Sequence, residues 1–256
     1  MTLAFDPLQL PKAHDARQAQ IELERLAAIW CPTDQSALPE PERIQALLTA
    51  IFGNSPYLSQ LVVNEAAQFF AVLADGPDSV FNKLLNDLAH LGLAETDEAA
   101  LMRQLRQGKR RAHLTIALAD IVKAWPLERV TGALSDFADS AVGAAIAFLL
   151  RQAHLAGEIE LPNPEAPARD SGLVMLGLGK LGAGELNYSS DIDLIVLFDP
   201  DTVRYRGRRT AREFYVKLAR NLVRLLQDAT QDGYVLRVDL RLRPDPASTP
   251  LPMSTI

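Results

Sequence analysis

Asp191 and Asp193, spaced i, i+2, follow a glycine segment that carries a cation, Gly177-Leu178-Gly179-Lys180. The run from Asp191 to Phe198 is otherwise apolar and reads as a buried strand. Alternate residues of a strand point to one side, so both carboxylates face one spot. Carboxylate oxygens at the edge of an apolar core suit a divalent metal ion. The glycines 177, 179, 182 and 184 let the backbone come close to a phosphate, and Lys180 adds a point charge. A metal site beside a phosphate cradle predicts nucleotidyl transfer. The segment is not a Walker loop, because no G-x-x-x-x-G-K-[ST] is present. It is not a dinucleotide fingerprint either, because the aspartate strand follows within a few residues.

A third carboxylate comes from an alternating run. Over Tyr234 to Arg243, the residues Arg237, Asp239, Arg241 and Arg243 share one face of a predicted strand, and Val238, Leu240 and Leu242 share the other. The apolar face must pack on helices, which leaves Asp239 among arginines. Asp191, Asp193 and Asp239 are then candidate Mg²⁺ ligands, and Arg241 and Arg243 candidate partners for phosphate oxygens. Two ions about 4 Å apart stabilise both the attacking and the leaving oxygen of an in-line displacement. A lone D-x-D is common; the glycine-lysine turn, the apolar strand and the third aspartate give this one its meaning. The competing reading makes Asp191 a cap at the strand start and Asp239 a simple ion-pair partner of Arg241 or Arg243.

Other polar residues read as structural. Arg103, Arg106, Lys109, Arg110 and Arg111 form a solvated helix face, Asp199 and Asp201 a turn, and Cys31 part of the core. The four histidines lack ligand spacing.

The elements that must position the site divide in two. Residues 14 to 155 read as successive helices: His14 to Trp30, one closing at Phe52, Leu58 to Leu73, Ser79 to Leu91, and Asp97 to Trp125 stopped by Pro126. A last one is capped by Ser135, with Ala138, Ala141, Val142, Ala145 and Phe148 on its apolar face. The proline-rich stretch Leu161 to Pro167 is a break. Beyond it come an apolar run at 173–178, consistent with a buried strand, the aspartate strand, a helix over about 205–230 and the arginine-lined strand. The fold class is therefore α+β, with a helical region at 1–165 and a catalytic core at 166–256. After Pro250 no closing helix follows, and a domain ending beside a core strand leaves an open edge, so the chain is expected to be a fragment.

Composition narrows the partners. A net charge of −6 argues against nucleic acid, which is bound mainly through a basic surface. One cysteine excludes an internal disulfide and fits a reducing cytoplasm. No basic, then apolar, leader opens the chain, and no run of eighteen apolar residues predicts a membrane span.

These residues resemble a known family. Gly177-Leu-Gly-Lys-Leu-Gly-Ala-Gly-Glu-Leu-Asn-Tyr-Ser-Ser-Asp-Ile-Asp-Leu-Ile195 looks like the signature of the glutamine synthetase adenylyltransferase/adenylyl-removing enzymes. Arg237-Val-Asp-Leu-Arg-Leu-Arg-Pro244 resembles their second signature. The helical lead-in is similar too, at Phe52-Gly-Asn-Ser-Pro-Tyr57 and Leu114-Thr-Ile-Ala-Leu-Ala-Asp120. The resemblance implies a DNA polymerase β-like nucleotidyltransferase sheet and two catalytic halves in the full-length parent. The N-terminal half removes AMP from a tyrosine of glutamine synthetase by phosphorolysis, giving ADP; the C-terminal half attaches it from ATP. The wording Glu185-Leu-Asn-Tyr-Ser-Ser190 looks like the N-terminal half. The resemblance further implies that Asp191, Asp193 and Asp239 bind Mg²⁺ and that Gly179 and Lys180 lie at the phosphate turn. Glutamine synthetase, a PII-type regulatory protein, ATP or ADP, and phosphate are the implied partners. Lys180 stands where the superfamily has serine, so no hydroxyl is offered there. Set against that pattern, the chain is expected to lack the second half and the helices after the third strand. Two alternatives stay open: an RNA-end nucleotidyltransferase, or a non-catalytic fragment that only binds glutamine synthetase or a regulatory protein.

Overall fold

The structure is a computed structural model and describes residues 3–29, 38–199, 201–202, 204–241 and 253–254. Cys31 and Arg243 lie outside the described residues. The chain divides into two compact units, Met1–Leu84 with Arg110–Val130, and Leu85–Lys109 with Thr131–Ile256.

Among the described residues up to 155 the α-helices are α1 (Ala16–Ile29), α2 (Pro41–Phe52), α3 (Pro56–Asn64), α4 (Ala66–Asp75), α5 (Pro77–Ala94), α6 (Glu98–Ile121) and α7 (Leu127–Leu155). Their boundaries follow from local chemistry. Ser55 accepts the Leu58 N–H, and Pro56 occupies the first helical position, where no N–H is needed. Gly76, at φ 81°, ends α4. The single helix expected over 58–73 is two, broken at Glu65 (φ −121°, ψ 41°). The break has a visible cause. The Glu65 side chain is 8% exposed and accepts from Arg110 Nε at 2.8 Å and Arg111 Nε at 3.0 Å, which satisfies a charge that burial would otherwise penalise heavily. Those two arginines, expected on a solvated face, are structural partners of this carboxylate. The first unit's core gathers Leu47, Ile51, Phe52, Phe69, Leu73 and Leu114.

Ser135 is not a helix cap. It lies inside α7, buried, where its hydroxyl donates to the Thr131 carbonyl and accepts the Leu186 N–H at 3.1 Å. It thus ties α7 to the segment before Asp191. By length and composition alone α7 is apolar enough to cross a membrane, although it holds no run of eighteen apolar residues. Because 72% of its apolar window is buried inside the structure, it reads as a core helix.

The sheet holds β1 (Leu173–Leu178), β2 (Ile192–Phe198), β3 (Val238–Asp239) and β4 (Met253–Ser254). β1 runs antiparallel to β2 along its whole length. On the other edge of β2, β3 runs parallel against its start and β4 parallel against its end. A short turn, α8 (Gly179–Gly182), joins β1 to the aspartate segment, and α9 (Ala211–Gln227) follows β2. In β2, Ile192, Leu194, Val196 and Phe198 are buried. Phe198 stacks on Tyr215 of α9, with ring centroids 5.2 Å apart. α9 begins in a capping box: Thr210 and Glu213 exchange side-chain and backbone hydrogen bonds. One face of α9, including Phe214, Leu218, Leu222, Leu225 and Leu226, is buried, as its spacing predicts. Helices and a small sheet make an α+β chain, as expected.

Candidate active site

Asp193 sits in β2 on the face opposite its buried apolar residues. Its register partners are Leu178 of β1 on one side and Asp239 of β3 on the other. Two carboxylates are thus side by side on neighbouring strands, an arrangement that repels itself unless a cation is present. Asp191 lies one residue before β2 and is held separately. Arg237 Nε donates to Asp191 Oδ1 at 2.5 Å, and Arg237 Nη2 donates to the Ser189 carbonyl at 2.6 Å. Ser189 has φ 56°, in the left-handed region that favours glycine. Such a residue costs on the order of 1 kcal/mol, so the surroundings hold the bend that presents Asp191.

β3 is far shorter than the alternating run predicted. Upstream, the N–H groups of Val235 and Leu236 donate to the Leu226 carbonyl, which ties them to the end of α9. Downstream, the Arg241 N–H donates to Asp239 Oδ1 at 2.8 Å, a local turn that takes this amide away from the ladder. The Arg237 carbonyl still accepts the Ile192 N–H at 2.9 Å, which locks β3 to the start of β2.

Arg241 grips Asp239 a second time through its guanidinium, Nη2 to Oδ2 at 2.7 Å. The Asp239 side chain is 19% exposed and that of Arg241 84%. The Arg241 side chain, helped by its backbone N–H, holds the Asp239 carboxyl below the usual carboxylate range. In the sign of the effect, the folded state favours the ionised form. That contribution is present at neutral pH and is lost only as the pH falls through Asp239's lowered value. Asp239 raises Arg241 first and most, and the charges of Asp191 and Asp193 raise it further. One guanidinium therefore lies in the field of all three carboxylates.

Gly179 lines the other side of Asp193. Its φ is 54°, and a Cβ built there would come within 2.8 Å of Asp193 Oδ2. The close approach expected for a phosphate is seen here toward a carboxylate. Gly182 serves the turn itself, since a Cβ there would meet the Gly177 carbonyl oxygen at 2.5 Å. Lys180 is exposed on α8.

The predicted residues Gly179, Asp193, Asp239 and Arg241 are thus brought together, with Asp191 at the same end of the sheet. Arg237 was missed as a site residue, although its place on the Asp239 face was legible from the alternation. Among the described residues no three acidic, histidine or cysteine side chains converge as a ready metal site. The donor set nonetheless fits magnesium in kind. It is all oxygen, it carries three negative charges, and arginines engage two of its members. A cleft of about 380 Å³, lined by Phe148, Leu149, Phe214, Lys217 and Asn221 among others, includes none of the three aspartates.

Comparison with known proteins extends this reading. A family model described as glutamate-ammonia ligase adenylyltransferase matches residues 45–256. The bifunctional glutamine synthetase adenylyltransferase/adenylyl-removing enzyme of Bradyrhizobium diazoefficiens is 47% identical over 221 residues, covering 83% of this chain and 22% of that protein. Proteins with the same description from Rhodopseudomonas palustris and Xanthobacter autotrophicus are 43% and 42% identical, over 91% and 99% of this chain. The chain spans about a quarter of their length, 24% and 26%.

Proposed function

The chain belongs to the glutamate-ammonia ligase adenylyltransferase family, and we propose that it is the adenylyl-removing part of such an enzyme. Phosphate attacks the α-phosphorus of an adenylyl-tyrosine on glutamine synthetase. A new P–O bond to phosphate forms, the bond to the tyrosine oxygen breaks, and ADP and the free tyrosine result. The observation that carries the reading is the register pairing of Asp193 with Asp239 beneath the Gly179 turn, with Arg241 in the field of all three aspartates.

The residues divide the work. Asp191, Asp193 and Asp239 would hold Mg²⁺, which when bound supplies charge neutralisation at the reacting phosphoryl group. Gly179 leaves room for the Asp193 carboxylate, and Lys180 offers an exposed cation to phosphate oxygens. Arg241, largely in solvent, and Arg243, outside the described residues, seat the incoming phosphate. The tyrosine leaves as a phenolate with a pKa of about 10, so it needs less protonation at departure than an alkoxide does. We read the sheet as that of a DNA polymerase β-like nucleotidyltransferase. All the proposed site residues lie after residue 165, so we read 166–256 as the catalytic core and 1–165 as the helical region, while the compact unit that holds the sheet also includes Leu85–Lys109 and begins its second stretch at Thr131. We assign adenylylation from ATP and control by a PII-type regulatory protein to residues outside this chain.

Product analysis tests the proposal. Incubated with adenylylated glutamine synthetase and phosphate, the protein is expected to release ADP. With unmodified glutamine synthetase and ATP it is expected to transfer no AMP. Release of AMP in place of ADP, or transfer from ATP, contradicts the assignment.

A further inference from the structure

Arg106 of α6, read from the sequence as solvated, is 1% exposed. It makes no ion pair with a described residue and is satisfied by carbonyls. Its Nε donates to Gly233 at 2.7 Å. One terminal nitrogen donates to Met102 at 2.8 Å and Leu225 at 3.2 Å, and the other to Asp228 at 2.5 Å. Leu225 lies in the last turn of α9 and Asp228 caps it, where the final carbonyls lack helical partners and a cation is favoured. Gly233, at φ 85°, is in the turn that starts the next segment. One turn further along α6, Lys109 donates to the Tyr234 carbonyl at 3.0 Å and lies 3.8 Å from the centre of the Tyr234 ring.

These contacts form an unbroken series toward the site. Arg106 joins the end of α9 to Gly233, Lys109 holds Tyr234, Val235 and Leu236 return to Leu226, the Arg237 carbonyl takes Ile192, and Asp239 follows. β3 itself has only two paired residues. So short a ladder specifies register weakly, and a slip of one residue would turn Asp239 to the opposite face. An apolar residue at 106 fills space as well as arginine does, often at less cost in a buried site. What the guanidinium adds is a fixed geometry among four carbonyls.

We propose that Arg106 and Lys109 are positioning residues that set the register of β3 and so place Asp239 beside Asp193. Its catalytic consequence rests on the reading of the site as an adenylyl-removing centre. Burial, with Arg237 and Arg106 nearby, pushes Lys109 down to about 8. Its ammonium is thus kept in an unfavourable place, and the Tyr234 contacts compensate.

The test compares Arg106→Met, Arg106→Lys and Lys109→Met in the full chain, by hydrogen exchange and by kinetics. In Arg106→Met the amides of 235–239 should exchange at least roughly tenfold faster, with those of β1, 173–178, unchanged. ADP formation should lose on the order of a hundredfold in kcat, with KM for adenylylated substrate within about twofold. Arg106→Lys should recover part of the loss, and Lys109→Met should show the same pattern more weakly, with about a threefold rise in exchange and about a tenfold loss in kcat. Unchanged exchange at 235–239 overturns the proposal. So does faster exchange throughout the chain with a kcat loss equal to the loss of folded protein. A wild-type chain that makes no ADP defeats the assigned reaction, while the exchange comparison still decides the register.

Discussion

Asp193→Asn is expected to reduce ADP formation from adenylylated glutamine synthetase by about a thousandfold, with the fold intact. The size follows from what the residue is asked to do. Neutralising charge on a transferring phosphoryl group is worth several kcal/mol, and each 1.36 kcal/mol is a factor of ten, so about 4 kcal/mol gives three decades. The intact fold follows from its surroundings. Asp193 makes no hydrogen bond with a described side chain, and its register partner is another aspartate. Removing one of two adjacent like charges should leave stability unchanged or raise it by roughly 0.5 kcal/mol. Steady-state kinetics beside thermal unfolding check both halves. A loss below tenfold at saturating phosphate shows that the carboxylate is not part of the chemistry.

Gly179→Ala should be nearly as damaging for a different reason. The substitution forces a Cβ to 2.8 Å from Asp193 Oδ2 on a backbone at φ 54°. The strain alone costs on the order of 1 kcal/mol, and the crowding displaces the carboxylate. A displacement of about an ångström at a reacting centre costs on the order of a hundredfold in rate. Gly184→Ala is the matched control. Its φ is 71°, but a Cβ there meets nothing within 4 Å. Both variants should lose similar stability in thermal unfolding, and only Gly179→Ala should lose the hundredfold in kcat. Equal kinetic loss in the two would assign the effect to backbone strain and not to the carboxylate.

The parts of this molecule legible in its sequence are those specified by local pattern. The apolar run at 173–178, the aspartate-bearing strand and the amphipathic helix after it were all readable from periodicity, and the register then brought Asp193 to Asp239. The helical lead-in was readable as well, except where a distant partner intervened. Glu65 interrupts a helix because arginines some 45 residues later bury its charge. Arg106 looked like any charged helix residue, because the carbonyls that enclose it come from residues 225 to 233. Ser135 had the residue type of a cap and the role of a tie to Leu186. The end of β3 was hidden for the opposite reason: the alternation continues, yet the Asp239 side chain takes the Arg241 N–H for itself. In each case residue type gave the right chemistry, and tertiary packing decided where it was used.

The central claim is that Asp191, Asp193 and Asp239 act as one metal centre although arginines engage two of them here. Binding of Mn²⁺ followed by electron paramagnetic resonance tests it without turnover, on the wild type and on Asp193→Asn and Asp239→Asn. The account predicts saturable binding by the wild type, weakened by about tenfold or more in each variant, with Mg²⁺ competing. Equal Mn²⁺ affinity in all three proteins would contradict it.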